Sequence, residues 1–119
     1  MDTLAQIQAR QAQRRQDLER ALPAIVEQLK ELGALQVILV GSLARGRVTR
    51  RSDLDLIAIM PPSRSSREWQ QEIYSRVERH IASDILAYTE EDLATTLPVS
   101  RFLRHALQEG KVIYEKRTP

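Results

Sequence analysis

Cysteine is absent from the 119 residues. That removes a disulfide framework, a thiolate metal site and a cysteine nucleophile together, and it fits a reducing cytoplasm. Aromatic residues are scarce, with one Trp, one Phe and three Tyr. None falls in the Gln- and Arg-rich stretch at residues 5–16, which therefore lacks the interleaved aromatics of a nucleic-acid-binding surface, so nucleic acid is not an expected partner. No apolar run approaches a membrane span, and the opening MDTLAQIQARQAQRRQ has no signal-peptide core, so a soluble cytoplasmic protein with no membrane partner is expected. The two histidines, His80 and His105, read as helix-surface residues without a metal-ligand partner, and Trp69 reads as core. Glycine occurs at four positions only. Gly33 and Gly110 close helices, while Gly41 and Gly46 flank one connection.

What is present suits one domain spanning residues 1–119, with 1–17 as a possible helical arm of little burial. Leu18, Leu22, Ile25, Leu29 and Leu32 recur at spacings of four and three, the stripe of an amphipathic helix, and Pro23 inside it predicts a kink or two helices meeting near Leu22. LQVILV (35–40) and LDLIAIM (54–60) read as buried strands. Ser65 with Glu68 makes a capping box for a helix whose Trp69, Ile73 and Val77 share a face. DILAY (84–88) is a further strand, Thr89 with Asp92 starts another helix, Pro98 interrupts, and a helix ending at Gly110 precedes the strand KVIYE. The order is α, β, β, α, β, α, α, β, with no internal repeat. It predicts an α/β or α+β domain with a mixed sheet of about four strands covered by helices. Pairing direction is not readable at this level.

The stretch VGSLARGRVTRRSDLDLIAIM (40–60) holds the chemistry. The net charge is only +2, yet Arg45, Arg47, Arg50 and Arg51 crowd ahead of Asp53 and Asp55, which suggests an anionic partner. On a strand, residues two apart leave the same face roughly 7 Å apart, so these two carboxylates can converge on one cation. Left unpaired and partly buried, they would repel and one would take up a proton. Oxygen-only ligands favour Mg²⁺ over zinc. An isolated D-x-D is as readily a solvated strand entry. Here, however, Gly41 and Ser42 close the preceding strand with a turn suited to bring backbone N–H groups and a hydroxyl to a phosphate.

GS, ten intervening residues, then DLD resembles the signature of the polymerase-beta-like nucleotidyltransferases, and GSLARGRVTRRSDLDL is most similar to their minimal, single-domain branch. The ending ALQEGKVIYE is also similar, so the resemblance spans about Leu35 to Glu115. It implies that Asp53 and Asp55 bind two Mg²⁺ ions and that a third carboxylate, Asp84 in SDILAYTEEDL, completes one metal's shell and can take the acceptor's proton. Gly41 and Ser42 would hold the β- and γ-phosphates of ATP, helped by the Arg45 fork. Arg47, Arg50 and Arg51 are as readily solvated surface. The implied function is transfer of AMP from ATP to a hydroxyl acceptor, a tyrosine of a cognate helical HEPN-family toxin, with this chain as its antitoxin in a hetero-oligomer. The alternatives are a non-catalytic binding antitoxin and an aminoglycoside-type nucleotidyltransferase, which usually carries an extra domain for the drug. Uncovered apolar positions on the C-terminal helix, Phe102 and Leu103, or the N-terminal arm, are the expected partner contacts.

Overall fold

The computed structural model describes residues 2–117. Helix α1 (Leu4–Leu32) opens on a capping box, in which Thr3 accepts from the Gln6 N–H at 3.2 Å and the Gln6 side chain accepts from the Thr3 N–H at 2.8 Å. It closes at Gly33 with φ 107°, a left-handed conformation that glycine adopts without a Cβ penalty. In place of two helices meeting near Leu22, α1 is a single element that passes through Pro23. Leu18, Ile25 and Leu29, on both sides of the proline, are buried in the core. That burial outweighs the loss of one backbone hydrogen bond, a penalty of about 3 kcal/mol for an interior proline.

The other elements are strand β1 (Gln36–Val40), helix α2 (Gly41–Arg45), β2 (Leu54–Met60), α3 (Ser66–Arg76), β3 (Ser83–Thr89) and α4 (Glu90–Thr96). A single 3₁₀ turn at Leu97–Val99 leads into α5 (Arg101–Glu109) and β4 (Lys111–Glu115). Both expected helix starts carry their caps: Ser65 and Glu68 form a reciprocal box, and Thr89 accepts from the Asp92 N–H. Pro98 sits where expected, in the break between α4 and α5.

The sheet order is β3-β2-β1-β4. β1 pairs antiparallel with both β2 and β4, whereas β2 and β3, linked through α3, are parallel. This is the mixed four-stranded sheet, covered by helices, that the element order implied. One face buries Val37, Leu39, Leu56, Ala58, Met60, Ile85 and Ala87 against α1 and α3. The other carries Ile38, Val40, Ile57 and Ile59 beneath α4 and α5, with Leu103 of α5 fully buried there. Along the outer edge of β3, Gln70 of α3 donates to the Ile85 carbonyl at 2.6 Å and accepts from the Ala87 N–H at 2.8 Å. Two of the edge strand's outward backbone groups are thus paired by a side chain rather than left open.

Candidate active site

Asp55 lies within β2 on the same side as Ile57 and Ile59, because side chains alternate along a strand. Parallel pairing sets Asp84 of β3 directly beside it in register. Two carboxylates on adjacent strands at one level are neighbours across a strand spacing of about 4.8 Å. Asp53 is one residue outside β2 rather than on it. It ends the loop that follows α2, so its direction is set by that loop and not by the sheet's alternation. All three aspartates lie at one end of the sheet and line one cavity under α5.

The loop is held by its own hydrogen bonds and by α1. Thr49 and Ser52 exchange bonds, with the Thr49 N–H donating to Ser52 Oγ at 2.8 Å and the Ser52 N–H to the Thr49 carbonyl at 3.1 Å. Arg14 Nε donates to the Ser52 carbonyl at 2.8 Å, and its Nη2 is 3.9 Å from Asp53 Oδ1. Arg15 donates to the Gly46 carbonyl at 3.2 Å. The Gln- and Arg-rich part of α1, expected as an arm of little burial, thus docks two arginines onto the loop that carries Asp53.

Gly41 opens α2 with φ 76°. A Cβ built there would lie 2.3 Å from Asp55 Oδ2, so the absence of a side chain is what lets the carboxylate stand against the turn. Val40 pairs with Asp55 across β1 and β2, which fixes this close approach through the sheet register. α2 itself, expected only as a turn, is a five-residue helix whose leading N–H groups have no intrahelical acceptors.

Together these groups line a cavity of about 600 Å³, within the size range of small-molecule sites. Gly41, Ser42, Arg45, Asp53, Asp55 and Asp84 all line it. Arg47, Arg50 and Arg51 do not; they are exposed, and Arg50 lies 4.0 Å from Asp2. The opposite wall is α5, through Phe102, His105, Ala106 and Glu109. Glu109 Oε2 is 3.8 Å from Arg45 Nε, and Glu109 Oε1 is 3.4 Å from His105 Nε2. His105 is therefore a wall residue with a carboxylate one helical turn away, which the reading as a partnerless surface histidine missed. His80 stands beyond the end of α3, not on a helix. Of the two apolar positions expected to be uncovered on α5, Leu103 is fully buried and Phe102 is 65% exposed at the cavity wall.

The site's electrostatics follow from the convergence. Burial pushes the Asp55 carboxyl from its ordinary value of 3.8 up to about 6; Asp84 and Asp53 add to the rise, and Arg45 opposes it. A half-buried carboxylate with two like neighbours suits a hard cation, and the donors are all oxygens. Among the described residues, no three acidic or histidine side chains are yet grouped closely enough to hold a metal as they stand. The donor set fits Mg²⁺ in type and charge.

Comparison with known proteins agrees with this geometry. A family model described as "Nucleotidyltransferase domain" matches residues 22–114, a span that contains every residue lining the cavity. The chain also resembles a crystal structure described as that of a candidate nucleotidyltransferase from Sulfolobus solfataricus, with 15% sequence identity and a TM-score of 0.64, covering 90% of this chain and 88% of that one. At that identity the likeness speaks for the fold. No curated protein matches the chain. Among the described residues, no helix is long and apolar enough to cross a membrane.

Proposed function

The chain belongs to the nucleotidyltransferase domain family, and from that premise we propose that it moves AMP from Mg²⁺-bound ATP to a hydroxyl of a partner protein. The observation that carries the reading is the convergence of Asp53, Asp55 and Asp84 on one cavity with the Gly41–Ser42 turn. Gly41, Ser42 and Arg45 hold the β- and γ-phosphates through backbone N–H groups, a hydroxyl and a guanidinium. Asp53 and Asp55 hold the cations, with Asp84 completing one shell. When bound, the metal supplies charge neutralisation at the α-phosphate and the leaving oxygen. The acceptor oxygen forms its bond to the α-phosphorus as the bond from that phosphorus to the β-bridging oxygen breaks, and pyrophosphate leaves. Asp84, exposed at the cavity edge, takes the proton that the acceptor hydroxyl gives up.

The proposed acceptor is a tyrosine of a cognate HEPN-type toxin, which AMP would inactivate by placing a bulky anion at its site. This chain then acts as the antitoxin and forms a hetero-oligomer with the toxin during transfer. The test is intact-mass spectrometry of the partner after incubation with the purified protein and Mg-ATP, where a gain of one AMP is expected. A partner that is inhibited at equal stoichiometry with unshifted mass would leave a non-catalytic binding antitoxin. Transfer to an aminoglycoside and not to protein would identify a small-molecule enzyme.

A further inference from the structure

Phe102 is the chain's one phenylalanine, and it is 65% exposed although α5 has a buried face within reach at Leu103. Tyr74 and Val99 are more exposed still, and single apolar side chains in water are ordinary; what sets Phe102 apart is that its exposed ring lines the cavity that holds the three aspartates. Its place in the fold indicates what would cover it. Phe102, His105, Ala106 and Glu109 stand at i, i+3, i+4 and i+7 of α5 and line the cavity together, so the wall is one helical stripe. At 1.5 Å per residue, the stripe runs about 10 Å from Glu109 to Phe102. Its Glu109 end is tied to Arg45 of α2 at 3.8 Å, beside the turn assigned above to the phosphates. Phe102 is thus at the far end of the same wall, a separation comparable with that between the phosphate chain and the base of an extended nucleotide.

We propose that Phe102 is the platform on which the nucleobase stacks, with the sugar along Ala106 and the phosphate chain running toward Arg45. The inference rests on the nucleotidyl-transfer reading of the cavity and adds to it the position and chemistry of the base subsite. An aromatic face accepts any base, so this contact contributes affinity with little choice among purines and pyrimidines. Among the described residues, no tyrosine or tryptophan lines the cavity, and the only other ring there is the His105 imidazole, one turn along α5 toward Glu109.

The test is calorimetric titration of the whole chain and of Phe102→Ala with two probes, Mg-ATP and Mg-tripolyphosphate, which lacks a base. Removing a base-stacking ring typically weakens binding by about 5- to 100-fold. That loss is expected for ATP alone, with tripolyphosphate bound as by the parent and with Phe102→Trp restoring ATP affinity. Because Phe102 is exposed, the melting temperature of Phe102→Ala without nucleotide should equal the parent's. ATP affinity unchanged in Phe102→Ala would overturn the platform, as would an equal loss for both probes. Loss of partner binding with ATP affinity intact would also overturn it and reassign the ring to the protein interface. If the parent itself binds neither probe, the nucleotidyl-transfer reading fails first and the platform fails with it.

Discussion

Replacing Asp55 by Asn should stabilise the fold while destroying the site. Burial and two like charges raise the Asp55 carboxyl from 3.8 to about 6. That difference of about 2 pH units corresponds to about 3 kcal/mol at 1.36 kcal/mol per unit. The carboxylate is only half-buried, and solvent screening reduces the figure to about 1 to 2 kcal/mol. The sign follows from linkage: the folded state holds the proton more tightly than the unfolded one, so folding is favoured below the unfolded value of 3.8. That advantage is lost as pH rises through about 6. At pH 8 the parent bears the full cost of the ionised group and Asp55→Asn, nearly equal in shape, bears none. The variant should then melt higher by about 4 to 8 °C, taking about 4 °C per kcal/mol for a domain of this size. Near pH 4, just above the unfolded value, the difference should shrink to about a fifth of that. Scanning calorimetry at both values, in chelator, reads this directly. A variant less stable than the parent at pH 8, or an increment equal at both pH values, would refute the electrostatic reasoning. With Mg-ATP added the order should reverse, because ligand that binds the folded parent raises its melting point by mass action and the variant has lost that binding.

Gly41→Ala places a Cβ against Asp55 Oδ2 at 2.3 Å and at φ 76°, so a loss of about 1 to 3 kcal/mol is expected in denaturant titration. Part of it should be recovered in the Gly41→Ala, Asp55→Ala double variant, and strict additivity would mean that the two groups do not touch. Arg14→Ala removes the bond to the Ser52 carbonyl and the charge beside Asp53. A stability loss of about 1 kcal/mol with a severalfold weaker Mg-ATP titration is expected, whereas unchanged binding would confine Arg14 to scaffolding. Gln70→Ala leaves the Ile85 carbonyl and the Ala87 N–H unpaired on the edge of β3. It should cost about 1 to 3 kcal/mol and speed hydrogen exchange at the Ala87 amide, and protection equal to the parent's would show that water replaces the side chain.

Local signals were the legible ones. The LDLIAIM and KVIYE strands start and stop as their apolar and turn residues imply, and Ser65 and Thr89 cap the helices they precede. Each depends on atoms within a few residues. What escaped depends on tertiary docking. Phe102, His105 and Glu109 belong to the cavity only because Leu103 anchors α5 on the sheet face that carries Asp55 and Asp84. Nothing in the spacing of HALQE shows which neighbour that face meets. Leu103 and Phe102 looked equivalent as adjacent apolar positions, yet successive helical residues point about 100° apart, and one is core while the other is wall. Pro23 misled in the other direction, because its local penalty is outweighed by burial on both sides of it. The role of Gly41 was half legible: close backbone approach was foreseen, but the group nearest its missing Cβ is the Asp55 carboxylate.

The most direct measurement follows labelled phosphorus from ATP into the acceptor protein, with the label placed at either the α- or the γ-phosphate. Label is expected in the acceptor from α-labelled ATP and not from γ-labelled ATP, only with divalent cation present, and not at all when Asp53→Asn and Asp55→Asn are combined. Transfer of γ-label, or α-label transfer that persists in the double variant, would contradict nucleotidyl transfer at this site.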